Sequence, residues 1–207
     1  ECIAEEKTLA ENFLNRIKSG EWNEKEGEFV PDYGKGNLDC VLQIPSIQMT
    51  RGVYGGTEQE IEENLEQWML VTAASWMKFG KTGYGIFGHN HPAYEVGFNR
   101  LGELEPGDEF LLTGRTEERI YRIEGVMVWS RQEAARNLSG ENLSDDQCYI
   151  MTCARNERGE NTGEYLVVQG VQRQRGKTND EKTESMAWNN DFAAGFVNIR
   201  NLRVFYG

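Results

Sequence analysis

The sequence predicts a mainly β protein, a small closed barrel or sandwich with short helices. Three observations carry this. Apolar runs are short, four to eight residues, and rich in Val, Ile, Tyr and Phe. Turn signals such as Pro106-Gly107-Asp108 and Gly114-Arg115-Thr116 separate them at regular intervals. Helical periodicity is confined to a few brief stretches, so no helical layer exists to cover an open sheet.

Taken in order, residues 3–18 read as an amphipathic helix with Ala10, Phe13, Leu14 and Ile17 on one face and Ser19-Gly20 as its stop. Residues 1–28 carry eight Glu against four Lys or Arg, so the other face is acidic and solvated. The expected division is an N-terminal helical appendage or stalk over residues 1–37 and a barrel domain over residues 38–207. The first barrel strand begins at Val41 and breaks at Pro45, which has no N–H for a ladder. Thr57-Glu58-Gln59-Glu60 is a capping box, and Ile61, Leu65, Trp68 and Met69 follow at helical spacing. That helix is expected to reach about Leu70, with its aromatic and Met stripe as a core face.

Residues 85–88 form a short strand leading to His89, and 109–113 and 118–129 form a hairpin. A short helix over 131–138 interrupts a long connection. Strands at 148–153 and 164–172 follow, then a polar loop over 176–185 and a last strand over 196–206, bulged near Asn201.

Composition narrows the function classes. The chain has 207 residues, enough for a real core, and a net charge of −12. Nucleic acid demands a basic stripe, and an anionic membrane surface demands the same sign, so the charge argues against both as partners. No run approaches the roughly 18 apolar residues of a membrane span. The chain begins at Glu1 rather than Met, and an N-terminal signal or anchor preceding it is expected. Four cysteines do not make a disulfide scaffold at this size, although Cys2 and Cys40 could pair.

The chemistry-bearing stretch is Asp146-Gln-Cys-Tyr-Ile-Met-Thr-Cys-Ala-Arg155. Its apolar centre suits a buried strand that ends in Thr152-Cys153, where a Gly-containing loop begins. A thiol there is held by a rigid element yet open to a substrate. Cys148, five residues back, falls on the opposite face and reads as packing. Gly85-Ile86-Phe87-Gly88-His89 is a second short apolar run ending in a reactive side chain, in a chain with two histidines. A Cys and a His far apart in sequence, each at a strand end, suit a thiol nucleophile and its proton-transfer partner. His91, before Pro92, reads as a solvated loop residue.

Several motifs occur in a fixed order: Ile44-Pro45-Ser46-Ile47, Tyr54-Gly55-Gly56-Thr57, Phe87-Gly88-His89, Leu101-x-x-Leu104-x-Pro106-Gly107-Asp108, and Tyr149-Ile150-Met151-Thr152-Cys153. Over roughly residues 38–172 this order resembles the sortase family, as does the His89–Cys153 spacing of 153 − 89 = 64 residues. The resemblance implies an eight-stranded β-barrel and a cysteine transpeptidase on the extracellular face of a Gram-positive-type membrane, reached through an anchor. It implies that Cys153 attacks an LPxTG-like sorting signal to give a thioester, with His89 moving the proton. The acceptor would be a peptidoglycan precursor or pilin amine. Thr152 with its neighbouring backbone N–H, together with an arginine, would hold the oxyanion. Trp129 and the connection from Ser130 to Asp146 would form part of the substrate groove, although plain core suits Trp129 equally. No cofactor is implied; Ca²⁺ suits the acidic loops in charge, but none has a recognisable ligand spacing.

One departure stands out. The family's arginine opens the strand after the Cys loop, where this chain has Glu164 and Tyr165. The nearby cations are Arg155 and Arg158, while Arg173 and Arg175 lie roughly 25 Å along at strand rise. Tyr165 offers a weaker, neutral donor. A degenerate, non-catalytic surface protein is therefore an alternative. A second alternative is a cupin-like metal-binding protein, because Gly83, His89, His91, Glu95 and Gly102 follow G-x5-HxH-x3-E-x6-G. That reading lacks a third histidine and leaves Thr152-Cys153 unexplained.

Overall fold

Eight strands close into a barrel in the order β1-β2-β3-β4-β7-β8-β6-β5. The computed structural model describes residues 10–12, 14, 15, 37–91 and 97–173. The strands are β1 (Asn37–Ile44), β2 (Met49–Gly55), β3 (Leu70–Thr72), β4 (Tyr84–Phe87), β5 (Glu109–Thr113), β6 (Glu118–Trp129), β7 (Gln147–Arg155) and β8 (Asn161–Gln172). Two short helices accompany them, α1 (Glu58–Glu66) and α2 (Arg131–Asn137). The expected mainly β barrel with short helices is what forms.

Most neighbours are antiparallel, but β2–β3 and β4–β7 run parallel. β1 ends at Ile44 because Pro45 starts a 3-10 turn over Pro45–Ile47. The 109–113 and 118–129 hairpin forms as the alternation predicts. The expected loop over 176–185 and strand over 196–206 lie outside the described residues, as do Phe13 and Ile17 of the N-terminal helix. Ala10 and Leu14 are helical and buried in a small cluster with Leu38, Val41, Tyr54 and Met69, so these two side chains pack on the barrel.

One expectation fails at α1. The capping box forms, with Thr57 accepting from the Glu60 N–H and Glu60 Oε2 accepting from the Thr57 N–H at 2.8 Å. The helix stops at Glu66, however, and Leu70–Thr72 becomes β3, with Leu70 and Val71 pairing Val53 and Tyr54 of β2. Two β-branched residues after Leu70, met by an open edge of β2, outweigh the helical period that carries through Met69.

The interior is packed by alternate residues of each strand, including Leu42, Ile44, Val53, Ile86, Leu112 and Ile150, none of them solvent-accessible. Phe110 and Tyr121 stack there at 5.0 Å between ring centroids. Polar groups are buried there with partners: the Tyr84 hydroxyl donates to Asp39 Oδ2 at 2.7 Å, and the Phe79 N–H donates to the same oxygen at 2.9 Å. Cys40 is a free thiol within 3.7 Å of that hydroxyl.

Candidate active site

The parallel β4–β7 pair brings the two sequence candidates together. Its register runs Tyr84↔Cys148 to Phe87↔Met151, a constant offset of 151 − 87 = 64. His89 and Cys153 stand at that same offset, two residues further along. The extension is held by contacts on both sides of the pair. Gly88 N–H donates to Met151 O at 3.2 Å, and Thr152 Oγ1 donates to Gly88 O at 2.8 Å. Beyond them, Asn90 Nδ2 reaches Cys153 O at 3.4 Å, and the Arg155 guanidinium donates to Asn90 O. Parallel neighbours lie about 4.8 Å apart and residues in register share a face. Continued two positions, that register sets His89 opposite Cys153, on the face that carries Phe87 and Met151.

Glycine makes the approach possible. A Cβ on Gly88 would stand 2.5 Å from Leu70 Cδ2 and 2.9 Å from Phe98. Gly97 has φ +60°, and a Cβ there would sit 2.0 Å from His89 O. That carbonyl accepts the Phe98 N–H at 2.8 Å, which pins the backbone of His89 from its other side.

Below this row the outer face opens into a groove of about 520 Å³, a size that suits a short extended peptide. Leu65 of α1, Phe87 of β4, Met151 of β7, Tyr165 of β8 and Ala134 and Leu138 of α2 line it. Ile61 also faces it, so the stripe expected to be core is in part a groove wall. Trp76, 44% exposed, stands among its lining residues.

The remaining sequence candidates take distinct places. Thr152 is fully buried and its hydroxyl is committed to Gly88 O. Arg155 donates Nη1 to Gly159 O at 2.6 Å as well as holding Asn90 O, so its guanidinium ties backbone together. Arg158 is exposed in the β7–β8 turn, with its N–H on Asn156 Oδ1 at 2.9 Å. Trp129 is buried, its ring 4.9 Å from that of Tyr149. It pairs Tyr165 of β8, and Tyr165 in turn pairs Cys153. A phenol, its ring 5.6 Å from that of Phe87, therefore stands at the residue paired with Cys153. Cys148 lies on the interior face, where complete burial pushes its thiol far up.

His89 has a feature that the sequence did not reveal. Burial lowers its pKa, partly opposed by a hydrogen bond to the backbone of Leu65. Its ring packs against Trp68 at 4.9 Å between centroids and an interplanar angle of 58°. On the same indole His91 lies at 5.9 Å, edge-on. Trp68 has φ +65°, where a bulky side chain costs about 1–2 kcal/mol. Among the described residues no group of three or more His, Cys, Asp or Glu could hold a metal ion, and Glu95 of the alternative ligand set lies outside them.

A closed barrel with a thiol and an imidazole on adjacent strand ends, above a peptide-sized groove, defines a class of cysteine-centred barrel proteins. A family model described as "Sortase domain" matches residues 42–172, and the chain belongs to the sortase family, whose members are cysteine transpeptidases. Solved structures agree on the fold. Listeria monocytogenes sortase A is 19% identical with a TM-score of 0.54, covering 66% of this chain and 88% of its own. A Clostridium perfringens sortase D5 transpeptidase is 19% identical at TM-score 0.54, covering 82% and 99%. Clostridium perfringens sortase C, solved with the C-terminal cell wall sorting motif, is 20% identical at TM-score 0.51, covering 83% and 89%. A search of curated proteins returns no match.

Proposed function

We propose that this sortase cleaves an LPxTG-like sorting signal through a thioester on Cys153 and passes the acyl group to a cell-wall or pilin amine. The observation that carries the reading is the β4–β7 register, which ends at Phe87↔Met151 and whose offset of 64 residues His89 and Cys153 share two positions further along. The groove's apolar walls suit the leucine and proline of such a signal. That a related sortase C was solved with a sorting motif supports the same substrate class.

The Cys153 thiolate attacks the scissile carbonyl, and the C–N bond breaks as His89 gives its proton to the leaving amine. The incoming amine then attacks the thioester, the C–S bond breaks, and His89 takes the amine's proton. Backbone N–H groups at the end of β7 stabilise the oxyanion, with the Tyr165 phenol as a neutral donor where the family has arginine. Arg155 serves this step indirectly by holding Asn90. The enzyme works on the extracellular face of a Gram-positive-type membrane.

The test is mass spectrometry after incubation with a sorting-signal peptide carrying a thiol-trapping group. Wild type gains the acyl mass on Cys153 and Cys153→Ala does not. A second reading, a non-catalytic sortase-like protein, is favoured by Tyr165 alone. It prevails if Cys153 reacts with iodoacetamide yet never with the peptide.

A further inference from the structure

The last turn of α1 closes in a Schellman arrangement. Met69 N–H donates to Asn64 O at 3.1 Å and Trp68 N–H to Leu65 O at 2.9 Å. This pattern places Trp68 at the C′ position in the left-handed region, which glycine fills without strain. A tryptophan there is a costly choice unless its surroundings enforce it. They do: buried Arg51, in the β2 wall of the barrel, donates Nη2 to Trp68 O at 3.1 Å. The strained turn is thus fixed to the barrel itself.

The turn delivers two groups to one imidazole. The Trp68 indole packs on the His89 ring, and the backbone of Leu65, whose carbonyl receives the Trp68 N–H, lies close enough to favour the protonated imidazole. We propose that Trp68 is the positioning residue for His89: the left-handed cap of α1, anchored by Arg51, presses the indole on the imidazole and holds it in the orientation that proton transfer at Cys153 requires. This rests on the reading of His89 as the proton-transfer group. Among the described residues, the polar or titratable groups placed nearby are His91, edge-on to the same indole, Cys153 at the same strand offset, and Arg155 on the neighbouring Asn90 carbonyl.

The discriminating variant is Trp68→Gly, because glycine suits the backbone and removes only the indole. With strain relieved as packing is lost, its melting temperature stays within about 4 °C of wild type. The histidine Cε1–H resonances of the 207-residue chain are titrated by NMR, with His91→Gln assigning them. Trp68→Gly raises the His89 midpoint toward the ordinary imidazole value, and Trp68→Phe keeps it where wild type has it. For cleavage of a sorting-signal peptide, Trp68→Gly lowers kcat by about 10-fold or more with KM within about twofold, and Trp68→Phe restores most of kcat. The proposal is overturned if Trp68→Gly titrates and turns over like wild type, or if Trp68→Phe fails to restore either readout. Should wild type cleave no such peptide, the transpeptidase reading falls, and the titration arm still decides whether Trp68 governs His89.

Discussion

Replacing Thr152 by Val keeps the shape of the side chain and removes one hydroxyl. That hydroxyl is fully buried and donates to Gly88 O at 2.8 Å, in the peptide group that joins Gly88 to His89. Withdrawing a donor from a buried carbonyl costs about 1–3 kcal/mol, and the added methyl returns part of this, so a net loss of about 1–2 kcal/mol is expected. For a protein of this size that lowers the melting temperature by roughly 2–8 °C. Turnover should suffer more than stability. The freed peptide group shifts the imidazole relative to Cys153, and displacements approaching 1 Å cost up to about 100-fold in rate. Thr152→Ser keeps the hydroxyl and should melt slightly below wild type while cleaving the sorting-signal peptide at a similar rate. Calorimetry and steady-state kinetics on the three proteins check this. A Thr152→Val protein that melts and turns over like wild type would refute the idea that this hydrogen bond aligns the two strand ends.

Four further outcomes are expected. Arg155→Ala, which loses donors to Asn90 O and Gly159 O, should lower kcat about 10-fold, while exposed Arg158→Ala stays within about twofold; equal losses would mean that Arg158 has a direct role. Iodoacetamide on the native protein should label Cys153 and spare Cys40 and Cys148, both fully buried with thiols pushed well up; peptide mapping with and without denaturant reads the contrast. Tyr84→Phe strips Asp39 of one donor and Cys40 of its acceptor, and should cost about 1–3 kcal/mol in urea denaturation without changing kcat. Because burial lowers the His89 midpoint in the fold, the unfolded chain, titrating near 6.5, binds more protons between the two midpoints. Stability therefore falls as pH drops through that window and levels below the folded midpoint. The effect is small for a partly exposed ring, and His89→Gln should flatten it in melting curves between about pH 7 and 5.

The barrel was legible because its signals are local. Pro45 ends β1, Thr57 and Glu60 cap α1, and the alternation around Gly114 makes the β5–β6 hairpin. Gly88-His89 and Thr152-Cys153 were visible because a short apolar run stops at each, although β7 itself continues past the expected end at Cys153 to Arg155. That they are parallel neighbours was not, since no local pattern records which distant strand lies alongside. The end of α1 was misread for the same reason: Leu70–Thr72 is a strand only because β2 is beside it. Trp68 carried a helical period into a position whose backbone is left-handed, so its spacing pointed to core rather than to His89. Arg155 looked like a free cation because the two carbonyls that occupy it belong to loops 65 and 4 residues away in sequence.

The parallel contact between β4 and β7 has a consequence for how the chain acquires reactivity during synthesis. Everything from the end of β4 at Phe87 to the start of β7 at Gln147, including the β5–β6 hairpin and α2, must emerge before the two edges dock. Contacts of such long sequence separation form slowly. A nascent or half-folded chain therefore carries Cys153 without His89 alongside, and on the proposed mechanism the thiol gains its proton-transfer partner only when the barrel closes.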